Sequence, residues 1–309
     1  MKHQTKMLKK IAEATRPFVR SIATSLRYAP RMWRWELVSR LASDLGVNAM
    51  AVQTGDGLLL SKVDDRTVLP WLARYRNFGN EIHDLMNEAG DILRDGGTYL
   101  DIGANLGATT LPLAAAAGCV IHAFEPDPTN FQMLKANLAI NCPSHSVLLH
   151  QIALGDVNGK LAFEINPSNP GDNRLAGSGQ PAMGESSWKR IEVEVRRLDD
   201  FFEFLAKPLV VKIDAQGAEA KIIAGGRRTL ADAELISLEW YPYLLARVGG
   251  DPQPAITLVK GFHRARMMIA ESHVEPEWQS GKEVAARMYS FIYLISAVTV
   301  SPVVYQCCD

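Results

Sequence analysis

Thr98-Tyr99-Leu100-Asp101-Ile102-Gly103-Ala104-Asn105-Leu106-Gly107 decides how this chain folds. An apolar, β-favouring run ends beside an acid and passes directly into two glycines four positions apart. A strand that feeds a glycine turn opens a strand–turn–helix unit, the building block of a parallel sheet. Gly103 and Gly107 let the backbone turn sharply and leave a ligand room to approach the main chain. Asp101 can accept a hydrogen bond from an ammonium or amide near that turn. A dinucleotide site uses Gly-x-Gly-x-x-Gly to seat pyrophosphate on a helix N-terminus. Here Asn105 stands where that pattern needs its second glycine, which suits a ligand with an amino-acid end and no pyrophosphate.

About twenty residues further on, Val120-Ile121-His122-Ala123-Phe124 ends in Glu125. A carboxylate after the second strand is placed to receive both hydroxyls of a ribose. Asp127 is a good helix N-cap with Pro128 at the first helical position, and Phe131, Leu134 and Leu138 supply a buried face. The alternation continues, with strands expected at 98–102, 119–124, 147–154, 209–213 and 235–240 and later ones at 267–270 and 290–299. Helices begin near Ala108, Pro128 and Ala218. The expected fold is α/β, a mostly parallel sheet with helices on both faces, whose ligands bind beyond the carboxyl ends of the strands. Three acids fall at that edge: Asp214 after the fourth strand, Glu219 one turn on, and Glu239 at the end of the fifth. Asp156, beyond the third strand, either reaches an adenine amino group or belongs to the turn Gly155-Asp156-Val157-Asn158-Gly159.

These segments together resemble the FkbM family of S-adenosylmethionine-dependent methyltransferases. The matching residues are Asp101 to Gly107 with Thr110, Phe124-Glu125-Pro126-Asp127-Pro128 with Asn130 and Asn137, Ala153-Leu154-Gly155-Asp156, and Val211-Lys212-Ile213-Asp214 with Gly217-Ala218-Glu219. The resemblance covers roughly residues 53–243. It implies a class I methyltransferase fold, Rossmann-like with seven strands of which one is antiparallel, and O-methylation of a hydroxyl. It implies an S-adenosylmethionine site formed by Asp101, Gly103, Ala104, Asn105, Gly107, Thr110, Glu125 and Pro126, with Asp156 and Asp214 around it. The family more often carries Val-Glu where this chain has Ala215-Gln216, so a role for position 216 does not carry over.

Methyl transfer to a hydroxyl benefits from a base that takes the proton. Asp214 is the first choice and Glu239 the second, although Asp214 is equally placed to hold the cofactor's amino group. Glu219 either lines the acceptor site or caps its helix. A Gly/Ser/Pro/Asn-rich loop, 166–188, interrupts a hairpin formed by 160–165 and 190–195. It contains Gly171-Asp172-Asn173-Arg174, similar to a Gly-Asp-His-Arg segment of the family. Arg174 either clamps a substrate with Asp172 and Asn173 or ties the loop to nearby acids; a lid over the cofactor is the favoured reading.

Outward from the core, residues 46–97 read as a hairpin around Gly55-Asp56-Gly57 followed by a helix over 71–93. Residues 1–45 form a separate basic arm, with Met7, Leu8, Ile11, Phe18, Ile22 and Leu26 at helical spacing, punctuated by Pro17 and Pro30. Such an arm suits packing on a second subunit, or contact with an anionic membrane through Trp33 and Trp35. The remainder, 98–309, is the methyltransferase domain. The 309 residues are 47% hydrophobic, ample for one large core. A net charge of −1 gives no electrostatic reason to expect nucleic acid. Four cysteines without metal spacing suit a reduced, cytoplasmic protein, peripheral at a membrane if the arm binds one. No metal is expected, and His122 and His150 are expected to pack within strands. The expected partner is a small-molecule or glycan acceptor. An NAD-dependent oxidoreductase and a non-catalytic binding module are the alternatives.

Overall fold

A computed structural model of the chain describes residues 31–76, 80–116, 118–143, 147–177, 185, 188–267, 279–293 and 300–306. The chain forms two compact units, Met1–Asn48 and Ala49–Asp309. In the first, helix α1 (Arg31–Asp44) starts directly after Pro30. Glu36 and Arg40 pair one turn apart on it. The other apolar and basic positions of the arm, before residue 31, lie outside the described residues.

The second unit opens with a hairpin, β1 (Ala49–Gln53) and β2 (Leu58–Lys62), paired antiparallel around the expected glycine turn. The single helix expected over 71–93 is two: α2 (Val68–Tyr75) and α3 (Asn80–Ile92). Arg76 adopts a left-handed conformation at φ 66° and closes α2, its N–H donating back to Leu72. An αL residue ends a helix regardless of the apolar pattern around it.

Then comes the core: β3 (Thr98–Ile102), α4 (Thr110–Ala116), β4 (Val120–Phe124), α5 (Pro128–Asn141) and β5 (Val147–His150). After the insertion it continues with β10 (Leu209–Ile213), α7 (Glu219–Gly225), α8 (Arg227–Leu230) and β11 (Leu235–Trp240). It ends with α9 (Pro242–Val248), α10 (Gln253–Gly261), β12 (Arg264–Met267), α11 (Gly281–Tyr293) and β13 (Val300–Gln306). One sheet runs β12-β13-β11-β10-β3-β4-β5. From β11 to β5 all neighbours are parallel, whereas β13 is antiparallel to both β11 and β12.

Alternation along the strands fills two cores, one on each face. Leu100, Ile102, Val211, Ile213, Ile236 and Leu238 enter one; Tyr99, Ile121, Ala123, Val210 and Leu235 enter the other. The strand expected at 290–299 is a correction, because α11 runs through Tyr293 and the strand begins at Val300; 294–299 lie outside the described residues. Val284, Ala285 and Met288 are buried at helical spacing, and packing against α10 outweighs the β-favouring composition of the run that follows.

Between β5 and β10 lies a second sheet of β6 (Ala153–Leu154), β7 (Gly159–Ile165), β8 (Arg174–Leu175) and β9 (Lys189–Arg196), in the order β6-β9-β7-β8. The hairpin expected at 160–165 and 190–195 is its β7–β9 pair, in register from Gly159↔Val195 to Ile165↔Lys189. A short helix, α6 (Leu198–Phe201), leads back to the main sheet.

α5 buries two of the three apolar residues expected to face the core, on a face that also takes in two asparagines. Leu134 and Leu138 are buried, but Asn130 and Asn137 join them and Phe131 is only half-buried. Asn137 donates to Leu60 O and Leu106 O and accepts from Leu60 N; Asn141 pairs in the same way with Leu58. Two amides one turn apart thus act as an extra strand for β2, satisfying main-chain groups that would otherwise be buried without partners.

Candidate active site

The register of the parallel strands fixes the site. Phe124, Ile102, Ile213 and Leu238 lie in one row across β4, β3, β10 and β11. The next position along each strand is Glu125, Gly103, Asp214 and Glu239. Four candidates separated by up to 136 positions therefore emerge side by side at the carboxyl edge, where such sheets bind ligands. Gly103 has φ +78°, and a Cβ there would stand 1.8 Å from Asp214 O, so only glycine lets the two strand ends pass this closely.

On the β4 side, Glu125 is 4% exposed. Its Oε2 accepts from Asn105 N at 2.9 Å and its Oε1 from Asp127 N at 2.8 Å. One carboxylate thus ties the glycine turn to the acidic turn. Burial, opposed by those hydrogen bonds, pushes its pKa up to about 8. Asp127 caps α5 by accepting from Thr129 N and Asn130 N. Between these turns and the inserted sheet lies a small cleft, lined mainly by apolar groups including Gly103, Pro126, Ala153, Leu154, Ala218 and Ile222. Asp156 is exposed outside this lining, its carboxylate 3.9 Å from Lys221 Nζ.

Asp101 is fully buried beneath the glycine turn. Thr109 and Thr110 donate to its Oδ2 at 2.8 and 2.6 Å, and Lys212 Nζ lies 3.3 Å from its Oδ1. The ammonium near Asp101 is therefore one from this chain, placed by the Asp101↔Lys212 register. Lys212 also donates to Gly103 O at 2.9 Å and stands 3.7 Å from Asp214 Oδ2. Burial works against its charge, but Asp101 and Asp214 outweigh it and raise its pKa. Lys212 was legible only as a polar residue inside an apolar strand, and its role needed the register.

On the β10–β11 side the carboxylates crowd. Gln216, at φ +51°, donates from Nε2 to Asp214 Oδ1 at 3.0 Å and to Glu239 Oε2 at 2.8 Å. Burial, then the charges of Asp214 and Glu219, push Glu239 well above the usual carboxylate range. Glu219 turns away from the cleft, and its Oε1 accepts from Ala215 N and Gly217 N at 2.9 and 3.1 Å. Its burial raises it to about 7.

The loop after β7 closes over the glycine turn. Asn105 and Asn130 both donate to Pro170 O, at 2.8 and 2.9 Å, and Asn173 donates to Asp127 Oδ2 at 2.7 Å. Arg174 is 2% exposed. It pairs with Asp172 and Glu185, approaches Glu164 at 3.8 Å, and lies 4.4 Å over the Trp188 ring. These contacts tie the loop together from within. His122 and His150 stack side by side with ring nitrogens 3.0 Å apart, among Phe124, Phe201 and Phe202. Among the described residues, no three His, Cys, Asp or Glu side chains group as metal ligands would.

A parallel sheet with this glycine turn, and an acid closing the next strand, defines a class I methyltransferase fold of the Rossmann-like kind. Residues 101–273 match the methyltransferase FkbM domain, and the chain belongs to that family. Among curated relatives, 2-O-methyltransferase NoeI of Sinorhizobium fredii is 35% identical over 155 residues, covering 46% of this chain and 62% of its own. Methyltransferase sdnD of Sordaria araneosa is 26% identical over 152 residues, covering 41% of this chain and 59% of its own. The chain thus matches about three-fifths of the length of each. A solved structure of a putative rRNA methylase from Clostridium thermocellum aligns with 74% of this chain and 98% of its own, at 9% identity and a TM-score of 0.41.

Proposed function

We propose that this protein is an S-adenosylmethionine-dependent methyltransferase acting on a hydroxyl of a small molecule or glycan. The observation that carries this reading is the single row of Glu125, Gly103, Asp214 and Glu239 across four adjacent strand ends. The residues present fit the cofactor. Each Glu125 oxygen takes one backbone N–H and keeps a second lone pair for a ribose hydroxyl. Gly103 and Asn105 bring partly exposed main chain to this edge, Ala104 and Gly107 hold the turn beneath through N–H groups that donate to Phe124 O and Ala104 O, and Pro126 with the apolar cleft suits a purine face. Asp101 and Thr110 serve from beneath by fixing Lys212. Asp156 stands where it can reach an adenine amino group from outside the lining.

Bound S-adenosylmethionine would supply a methyl group on a sulfonium, whose transfer to oxygen leaves a neutral thioether. Asp214, 41% exposed at the edge, takes the proton that the acceptor hydroxyl gives up, with Glu239 beside it. Glu219 shapes the Asp214 turn. Asp172, Asn173 and Arg174 hold the loop that keeps water from the cleft.

Stabilisation against heat by S-adenosylhomocysteine, without stabilisation by NADH, is the expected result; the reverse would replace this reading with an oxidoreductase. For residues 1–45 we assign contact with a membrane surface or a second copy. Leu37, Val38, Leu41 and Leu45 are exposed on and after α1. Among the described residues no helix is long and apolar enough to cross a membrane. Flotation with anionic liposomes and sedimentation, each with and without residues 1–45, test the two forms of contact.

A further inference from the structure

Gln216 occupies the one position at the acidic mouth where the main chain pays a conformational cost. It is an ordinary L-residue at φ +51°, in the left-handed region that side chains of this kind disfavour. Gly217 follows at φ +100°, and a Cβ there would meet Leu244 O at 2.5 Å. The main chain on either side of Gln216 is held from below, because Glu219 Oε1 accepts from Ala215 N and Gly217 N. A turn fixed in this way leaves the Gln216 side chain a narrow choice of direction. It spans the ends of two neighbouring strands and uses both hydrogens of one amide nitrogen, one on Asp214 and one on Glu239.

The charged groups around this amide come from four elements. Asp101 is on β3, Lys212 and Asp214 are on or just after β10, Glu219 begins α7 and Glu239 is on β11. They do not treat the two bridged carboxylates alike. Asp214 has the amide on Oδ1 and the Lys212 ammonium 3.7 Å from Oδ2. Glu239 has the amide on Oε2 and is half-buried, with Asp214 and Glu219 as its acidic neighbours. A carboxamide donates to both without adding charge, whereas a carboxylate at this position would be a further anion facing the same pair.

We propose that Gln216 is a positioning residue that clamps Asp214 and Glu239 side by side, so that Asp214, with the Lys212 ammonium 3.7 Å away, takes the acceptor's proton beside Glu239. Resting on the methyltransferase reading above, this gives the two acids separate roles. The acceptor O–H bond breaks and its proton passes to the Asp214 carboxylate. Glu239 keeps its own proton and donates it towards Asp214. Burial of Glu239 raises its affinity for a proton in the same sense.

The test is a carbon-13 NMR titration of the full chain labelled at Asp Cγ and Glu Cδ, with Asp214→Asn and Glu239→Gln assigning the two signals. In the parent protein Glu239 is expected to hold its proton above the usual carboxylate range. Gln216→Met keeps the length and removes both donors, so the proton affinity of both carboxylates should rise about tenfold. Gln216→Glu should raise it further. Titrations of both carboxylates that are unchanged in both variants would overturn the proposal, as would Asp214 titrating above Glu239 in the parent. Binding of S-adenosylhomocysteine, measured on the same samples, reports separately on the cofactor reading. Parent protein that does not bind it, yet shows the expected titrations, would remove that reading and leave the clamp in place. Variants that bind it normally while their titrations stay at the parent values would remove the clamp alone.

Discussion

The two halves of the strand-end row handle charge in opposite ways. Around β3 and β4, each buried carboxylate has donors of its own. Asp101 has two threonine hydroxyls and an ammonium, and Glu125 has a main-chain N–H on each oxygen. Around β10 and β11, Asp214 and Glu239 share one amide, and Glu219 sits close behind. Separate donors make a rigid seat that need not reorganise when a ligand arrives. The shared amide brings two carboxylates side by side at the edge, and burial leaves Glu239 holding its proton above the usual carboxylate range, a setting for exchanging one with an acceptor. Lys212 joins the halves, touching Asp101, Gly103 O and Asp214.

The sharpest break of this contrast is Lys212→Met. It strands the buried Asp101 charge and removes the link to Asp214, and removing one partner of a buried pair typically costs about 3–5 kcal/mol. Urea unfolding should read a loss of that size, and a loss below about 1 kcal/mol would show that the two halves are independent.

A second break acts through pH. The folded pKa of Glu219 is raised to about 7 from an ordinary 4.5, so between those values the folded state binds the extra proton and stability falls as pH rises. Glu219→Gln keeps an oxygen for Ala215 N and Gly217 N and abolishes the titration. The variant should gain on the order of 2 kcal/mol over the parent at pH 8 relative to pH 4.5, measured by unfolding at both.

On the other half, Glu125→Ala should weaken S-adenosylhomocysteine binding by about 2 kcal/mol through lost ribose hydrogen bonds, as read by calorimetry. Unchanged affinity would take Glu125 out of the site. The smallest effect belongs to Asp156→Ala. Its exposed pairing with Lys221 contributes at most about 1 kcal/mol to stability, so a larger fall in cofactor affinity would be the sign of an adenine contact.

Much of the first half was legible along the chain. The glycine turn, Glu125 and the Asp127 cap are local features whose chemistry depends on neighbours a few residues away. The helix break after Arg76 was passed over although Asn77, Gly79 and Asn80 mark it, because apolar positions recur on both sides of it. The end of α11 was misread for a different reason. An apolar, β-branched run suits strand and buried helix alike until packing partners decide. Asn130 and Asn137 are buried because distant main-chain groups need them, which no local pattern on α5 shows.

By itself, the sequence determined the strand–turn–helix alternation, the position of the glycine turn and the acids that end the strands. All follow from periodicity and backbone preferences that act over a few residues. Only the tertiary structure decided which groups meet: Lys212 under Gly103, Gln216 across Asp214 and Glu239, and Arg174 enclosed within its own loop. Those pairings depend on strand order and register. These are set by burying both faces of the sheet at once, a condition satisfied by the whole chain and not by any one segment.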